Sequence, residues 1–322
     1  MLSEKANAIC LLRVLTEYSD EKHILPMREI IARMGSEYGI SPDRRTIYGS
    51  IAVLIDLGYD ISTYEDNGVG YYLKQRLFEP GEVRLLMDAV YSFSCLPSKH
   101  TDDLIEKLQR PLSVYERKRF KHLTITRSEM KTPNRQVFWN VEQLDAAISE
   151  KVKVRFTYLH YDVNKELVPR REEKYTVNPY GMVFNNENYY LVCVKDNKDK
   201  VSMYRIDRMK DIEITALELD LREPGFDVKK WTEQAVYAFS GEPELIVIHC
   251  KRSILDHVID KYGTDIRIRE LDGENLEINF TVSPNGVKFW ALQYLPYVEV
   301  ISPQWLRNEI IESVKVNPYL EI

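Results

Sequence analysis

The period of the hydrophobic pattern changes near residue 151, and this change limits the folds open to the chain more than any other feature. Upstream, apolar residues recur at the spacing of one helical face. Downstream come short runs rich in Val, Ile, Tyr and Phe, broken by Asn- and Asp-containing turns, as in a sheet. Helical spacing dominates before this point, strands dominate from 152 to 206, and the two alternate from residue 245, so the 322-residue chain reads as a multidomain α+β protein of two or three domains.

The upstream block opens with a helix over residues 4–18, with Ala8, Ile9, Leu11, Leu12 and Leu15 as its apolar positions. A second helix begins near Pro26, with Met27, Ile30, Ile31 and Met34 inward. The stretch Gly39-Ile40-Ser41-Pro42-Asp43 turns into a third helix running to about Leu57. Ser41 is the expected N-cap, Pro42 suits the first helical position, and Gly58 terminates the helix. Two β-like runs, 59–64 and 71–74, flank the turn residues Glu65-Asp66-Asn67-Gly68. Three helices followed by a hairpin is the layout of a winged helix-turn-helix, assigned to residues 1–78.

Residues 79–136 form a helical linker and dimerisation region with a break at Pro97-Ser98, and its apolar helices between Pro80 and Leu112, together with the C-terminal domain, are the expected dimer surfaces. Its last part, 117–135, is mostly basic and reads either as a solvated face or as the border of a polyanion path. A short amphipathic helix follows over 137–150, through Val141, Leu144, Ala147 and Ile148. Strands are expected at 152–158, 174–179, 182–184, 189–194 and 201–206, with turns at 185–188 and 196–199. Even spacing of this kind predicts a small β-barrel or sandwich. From residue 245 the order is strand, helix, strand, strand, helix, strand, helix, which predicts a C-terminal α+β domain over 240–322.

The third helix carries the clearest chemistry. Ile47, Ile51, Leu54 and Ile55 fall at helical spacing and are expected to pack inward. Arg45, Tyr48 and Gly49 then face outward, with Arg44 and Thr46 on the N-terminal turn. Arginine forks suit guanine, hydroxyls suit phosphate, and a glycine admits close approach. Arg44, Arg45, Thr46, Tyr48 and Gly49 are therefore the candidate contacts to double-stranded DNA. The net charge of −6 gives this reading no general help, so any DNA contact has to come from local basic clusters.

Other classes find little support. Cys10, Cys95, Cys193 and Cys250 stand singly among apolar neighbours and read as buried free thiols. The six histidines lack metal-ligand spacing. Gly68-Val69-Gly70 lies in a turn with no helix after it, so it is no phosphate loop. No catalytic, metal or cofactor site is expected, and the chain reads as a non-enzyme. The absence of a long apolar run and of an export-type N-terminus predicts a cytoplasmic protein without membrane association.

Several motifs resemble one family. Arg44-Arg45-Thr46-Ile47-Tyr48 with Gly70-Tyr71-Tyr72-Leu73 is similar to the DeoR-like winged helices of WYL-domain transcriptional regulators. Three further motifs resemble the WYL domain in order and spacing. They are Tyr175-Thr176-Val177-Asn178-Pro179-Tyr180-Gly181-Met182, Tyr189-Tyr190-Leu191 and Tyr204-Arg205-Ile206-Asp207-Arg208-Met209. Tyr189 stands where the family name has Trp. Trp290, the run 298–303 and Leu306-Arg307 resemble the C-terminal extension domain that often follows.

The resemblance implies a small Sm- or SH3-like barrel over 137–222 that binds a regulatory ligand, single-stranded nucleic acid in some members. Tyr158, Lys174, Tyr190, Arg205 and Arg208 are the candidate ligand residues: the cations suit phosphate and the aromatics can stack bases. The plainer alternative is that Tyr189 and Leu191 fill the core while Arg205 and Arg208 pair with Asp207 or Asp211. The function so implied is a ligand-responsive, homodimeric regulator of transcription. The other reading is a single-strand-binding accessory protein that partners a defence effector.

Overall fold

The structure, a computed structural model, describes residues 6–122, 131–185, 187–196, 200–220, 227–228 and 243–318. Much of the basic run 117–135, and parts of the turns expected at 185–188 and 196–199, lie outside the described residues. The chain divides into two compact units, Met1–Pro133 and Asn134–Ile322.

The first unit begins with α1 (Asn7–Tyr18), α2 (Met27–Tyr38) and α3 (Arg44–Asp56). Leu11, Val14 and Leu15, then Ile30 and Met34, then Ile47, Ile51 and Leu54 bury one stripe of each helix in a shared core. Two apolar residues expected inside are exposed instead, Ile9 and Ile55. The stripe of α1 runs through Asn7, Cys10, Leu11, Val14 and Leu15, which turns Ile9 outward. That of α3 runs through Ile47, Ser50, Ile51 and Leu54, so Ile55 falls just past its edge. Gly39, left-handed at φ 69°, closes α2.

The cap of α3 also differs from expectation. Asp43, not Ser41, accepts the Thr46 amide at 2.7 Å, and Pro42 stays outside the helix. An aspartate at this position satisfies an orphan amide and sets its charge against the helix dipole.

After α3, β1 (Ile61–Ser62) and β2 (Tyr72–Leu73) pair antiparallel, Ile61 opposite Leu73. The expected turn between them holds a helical turn, α4 (Tyr64–Asn67). The Asp66 carboxylate accepts the Thr63 amide at 2.7 Å, a capping box that makes helix the cheaper local path. Asn67 then organises the loop, accepting the amides of Val69 and Gly70 and donating to Ser62 Oγ and to the Thr63 and Gly70 carbonyls. Leu25 bridges Tyr71 antiparallel, which adds a third short β segment from between α1 and α2.

The rest of the unit is α5 (Pro80–Ser92), α6 (Ser98–Gln109) and α7 (Val114–Arg117), packed around Val83, Met87, Ile105 and Leu112. A buried polar joint ties it to α1. The Arg76 side chain, 4% exposed, faces Glu116 at 3.3 Å. It also donates to the carbonyls of Thr16 (2.9 Å), Pro111 (2.7 Å) and Ser19.

In the second unit, α8 (Val137–Glu150) ends at Lys151, left-handed at φ 55°, where the hydrophobic period changes. The strands that follow are β3 (Val152–Tyr161), β4 (Leu167–Pro169), β5 (Tyr175–Asn185), β6 (Asn188–Lys195), β7 (Val201–Arg205) and β8 (Met209–Glu218). They form a six-stranded antiparallel sheet in the order β4-β3-β5-β6-β7, with β8 on β3. The sheet curls into a half-barrel around Val154, Phe156, Val177, Leu191, Cys193 and Ile206, and Leu144 and Ala147 of α8 complete that core. The strands expected at 174–179 and 182–184 are one strand, bulged between Pro179 and Gly181. Two strands, β4 and β8, escaped the sequence reading. The alternation in β8 is broken at a register shift near Asp211, a left-handed residue at φ 54°.

The last elements are β9 (Glu244–Lys251), α9 (Leu255–Tyr262), β10 (Arg267–Glu270), β11 (Asn275–Val282), α10 (Pro284–Gln293), β12 (Val298–Ser302) and α11 (Gln304–Lys315). Their sheet order, β10-β11-β9-β12, is that of a split β-α-β-β-α-β unit with one added helix. The succession of strands and helices along this part of the chain follows the sequence expectation. Trp290 is buried here between the rings of Tyr262 and Tyr294, each at 5.1 Å.

Candidate functional site

Two places gather the residues singled out by sequence. On the first unit, Arg44, Arg45, Tyr48 and Gly49 are exposed at the start of α3, and Thr46 is half-buried among them. Helical geometry puts Arg45, Tyr48 and Gly49 on the face opposite Ile47, Ile51 and Leu54. A Cβ at Gly49 would meet nothing within 4 Å, so the surface there is open. Tyr48 is 52% exposed yet held: its ring lies edge-on to Tyr71 at 6.5 Å. Burial, the nearby Tyr48 and its hydrogen bond push the Tyr71 phenol up to about 12. Because Asp43 already occupies the α3 N-terminus, contacts to an anion at this end fall to side chains.

The second place is the curled sheet. Tyr190 of β6 lies directly opposite Arg205 of β7, so their side chains share one face. Leu191 and Cys193 point the other way, into the core. Asp207, 2% exposed, grips Arg205 in a fork, accepting Nε at 3.0 Å and Nη2 at 2.8 Å. Burial alone would lower the Arg205 pKa, but the hydrogen bonds and charge of Asp207 outweigh it and the net shift is upward. This guanidinium stays charged. It carries five N–H donors, and the fork uses two of them.

Tyr158 sits lower. Its ring is buried with those of Phe156, Tyr175 and Tyr204, while its Oη accepts the Arg205 amide at 3.2 Å. Burial raises its pKa, so it stays a neutral phenol. Arg208 lies over the Tyr161 ring at 5.7 Å, and the charges of Arg208, Asp207 and Arg205 all act on the Tyr158 hydroxyl. Tyr158, Tyr190, Arg205 and Arg208 are thus neighbours. Lys174 is engaged elsewhere, paired with Glu213 of β8.

Sequence reasoning passed over a second basic pair. The Arg171 guanidinium lies 3.7 Å from the Tyr175 ring centre, and Lys195 Nζ is 5.6 Å from the rings of both Tyr175 and Tyr204. Both cations cap one end of the aromatic core. In the sequence Arg171 looks like part of a solvated charge run and Lys195 like the end of a strand. The signal that could have found them is that Tyr175 and Tyr204 fall on inward positions of their strands. Asn134 and Asn140, which hold the turn after β7, were passed over as well, whereas the pairing of Arg205 with Asp207 is the plainer alternative read from the sequence. Among the described residues no group of His, Cys, Asp or Glu is placed to hold a metal ion, and no helix is long and apolar enough to cross a membrane.

A helical unit followed by a curled antiparallel half-barrel and a split β-α-β domain defines a multidomain α+β protein. Residues 140–214 match the WYL domain and residues 242–315 match the WCX domain. These spans hold most of the curled sheet and the split domain respectively, so the chain carries a WYL domain followed by a WCX domain. Among solved structures, Proteasome accessory factor B/C (PafBC) of Arthrobacter aurescens is similar at 17% identity and TM-score 0.28, over 96% of this chain and 47% of that one. The chain thus spans about half of that protein's length. A CRISPR Cas-related protein is similar at 13% identity and TM-score 0.35, over 98% of this chain and 86% of that one. No curated protein sequence matches the chain.

Proposed function

We propose that this protein is a DNA-binding transcriptional regulator of the cytoplasm, with a winged helix-turn-helix over residues 1–78. Its half-barrel, read as Sm- or SH3-like, binds a nucleic-acid or nucleotide-like effector. The observation that carries the reading is the exposed group Arg44, Arg45, Tyr48 and Gly49 at the start of α3. The start of the second helix of a helix-turn-helix is the part that enters the major groove. The Leu25–Tyr71 bridge beside the β1–β2 pair supports the winged layout, and the loop ordered by Asn67 is its wing. Two copies related by a two-fold axis would read paired half-sites, with residues 79–136 as the dimerisation region.

In the half-barrel, Arg205 and Arg208 supply charge and Tyr190 a stacking face, with Tyr158 bracing Arg205 from below. Lys174, just ahead of β5 and paired with Glu213, lies apart from this cluster. An effector there would alter duplex affinity by favouring one of two states.

Fluorescence anisotropy with duplex DNA from upstream of the coding sequence tests the proposal, with a single-stranded oligonucleotide in parallel. Arg45→Ala is expected to weaken duplex binding at least tenfold, by roughly 1–3 kcal/mol, and to leave single-strand binding intact. Arg205→Ala is expected to do the reverse. Absence of duplex binding, with single-strand binding that Arg205→Ala abolishes, would instead favour an accessory protein that senses single strands.

A further inference from the structure

Two asparagines grip the turn that carries the basic residues of the half-barrel. Between β7 and β8 the chain makes one 3-10 turn, Ile206–Arg208, with Arg205 just ahead of it. A backbone bond from the Met209 amide to the Ile206 carbonyl closes the turn. Its carbonyls are held from outside. Asn140 of α8, fully buried, donates from Nδ2 to the carbonyls of Ile206 (3.1 Å) and Met209 (2.9 Å). Asn134 donates from Nδ2 to the carbonyls of Asp207 and Met209, both at 2.8 Å. Its own Oδ1 accepts the Gln136 amide at 2.9 Å.

Each amide nitrogen has two hydrogens, and each asparagine bonds two carbonyls with it. Rotating either amide by half a turn would set oxygen against oxygen, so both orientations are fixed by their partners. The two residues differ in what they join to the turn. Asn140 sits inside α8, part of the same core as the sheet. Asn134 is the first residue of the second unit, and its bonds fasten the turn to the stretch of chain that leads from the first unit.

We infer that Asn134 and Asn140 are positioning residues for the basic turn, and that Asn134 makes the 131–136 segment respond to what binds there. This rests on the proposed role of Arg205 and Arg208 in holding an anionic effector. The physical reason is short. Phosphate that takes the remaining donors of Arg205 pulls on a guanidinium already forked to Asp207, and Asp207 lies in the turn. Any adjustment of the turn backbone then either moves Asn134 with it or breaks two hydrogen bonds. Asn140, locked in the core, holds the Ile206 and Met209 carbonyls, so the adjustment falls on the Asp207 carbonyl that Asn134 holds. The commonest structural alternative is that both asparagines merely satisfy buried carbonyls and transmit nothing.

Hydrogen–deuterium exchange on the full chain separates these, with a 5′-phosphorylated oligothymidylate as probe. In the wild type the probe is expected to slow exchange in 203–210 and also in 131–137. In Asn134→Ala, 203–210 keeps its protection and 131–137 loses it. Without probe, the same variant is expected to exchange the 206–209 amides roughly tenfold faster, as two lost hydrogen bonds imply, with 243–302 unchanged. That probe-free comparison also reports that the variant is folded. Protection of 203–210 in the wild type with no change at 131–137 overturns the inference and leaves the effector site standing. Linked protection that survives in Asn134→Ala overturns the role of Asn134. Protection at neither segment sinks the effector site itself, and the inference with it.

Discussion

Single residues fix local geometry here through contacts with distant parts of the chain. Gly70 shows this most sharply. A Cβ there would lie 2.2 Å from the Leu25 carbonyl oxygen and 2.6 Å from its carbon. Both are backbone atoms that cannot rotate aside, and the Leu25 and Tyr71 backbones are already locked by a reciprocal pair of hydrogen bonds at 2.9 Å. Gly70→Ala is therefore expected to destabilise the first unit by about 3 kcal/mol, at the upper end of overpacking costs, read as a drop in the urea midpoint. A loss under about 0.5 kcal/mol, the range of an ordinary surface change, would mean the bridge is free to shift. In the sequence Gly70 is visible as a turn glycine. The reason it must be glycine is not, because Leu25 reaches it only in three dimensions.

At the scale of elements, polar joints decide which helices move together. Arg76, beyond β2, is buried against α7 and the end of α1, and removing its charge strands Glu116 in a nearly dry site. Arg76→Met is expected to cost roughly 3 kcal/mol of unfolding free energy. The adjoining Asp20 gives the joint a pH signature. Burial alone would raise its pKa, but hydrogen bonds from His23, Ser113 Oγ and the Lys22 amide outweigh that, and the net shift is downward. A carboxyl with a folded value below its unfolded value contributes stability that is complete above the unfolded value, about 4, and is lost as pH falls through the folded one. The urea midpoint of the first unit should accordingly fall below about pH 4, and Asp20→Asn should flatten that decline. An unchanged slope in the variant would assign the acid sensitivity elsewhere. Strands β9, β11 and β12 of the C-terminal domain were legible because each alternates buried and exposed positions with a clean period. The α4 turn and β8 were not, since a capping box and a bulge override the simple alternation.

The whole molecule carries net charge −6, so the proposed affinity for duplex DNA would depend on where a few cations stand. Long-range attraction contributes little beyond a Debye length of about 8 Å at physiological salt. The slope of log K against log salt then counts the phosphate contacts themselves rather than the net charge. Each phosphate contact contributes about 0.9 to it, and Arg44→Ala is expected to lower its magnitude by about 1. A slope unchanged in Arg44→Ala would remove that residue from the phosphate contacts.

What the sequence by itself determined is the order of most elements, the inward stripe at Ile47, Ile51 and Leu54, and the exposed arginines of α3. These follow from periodicity and local chemistry, both of which act between near neighbours in the chain. Only the tertiary structure decided that Asp207 holds Arg205, that Tyr158 lies beneath it, and that Lys174 stands apart with Glu213. Arg171 and Lys195 over the tyrosines, and the grip of Asn134 and Asn140 on the basic turn, were decided there too. Each of these depends on strand register and on the curl of the sheet, and the energies that set register come from burying one whole face at once.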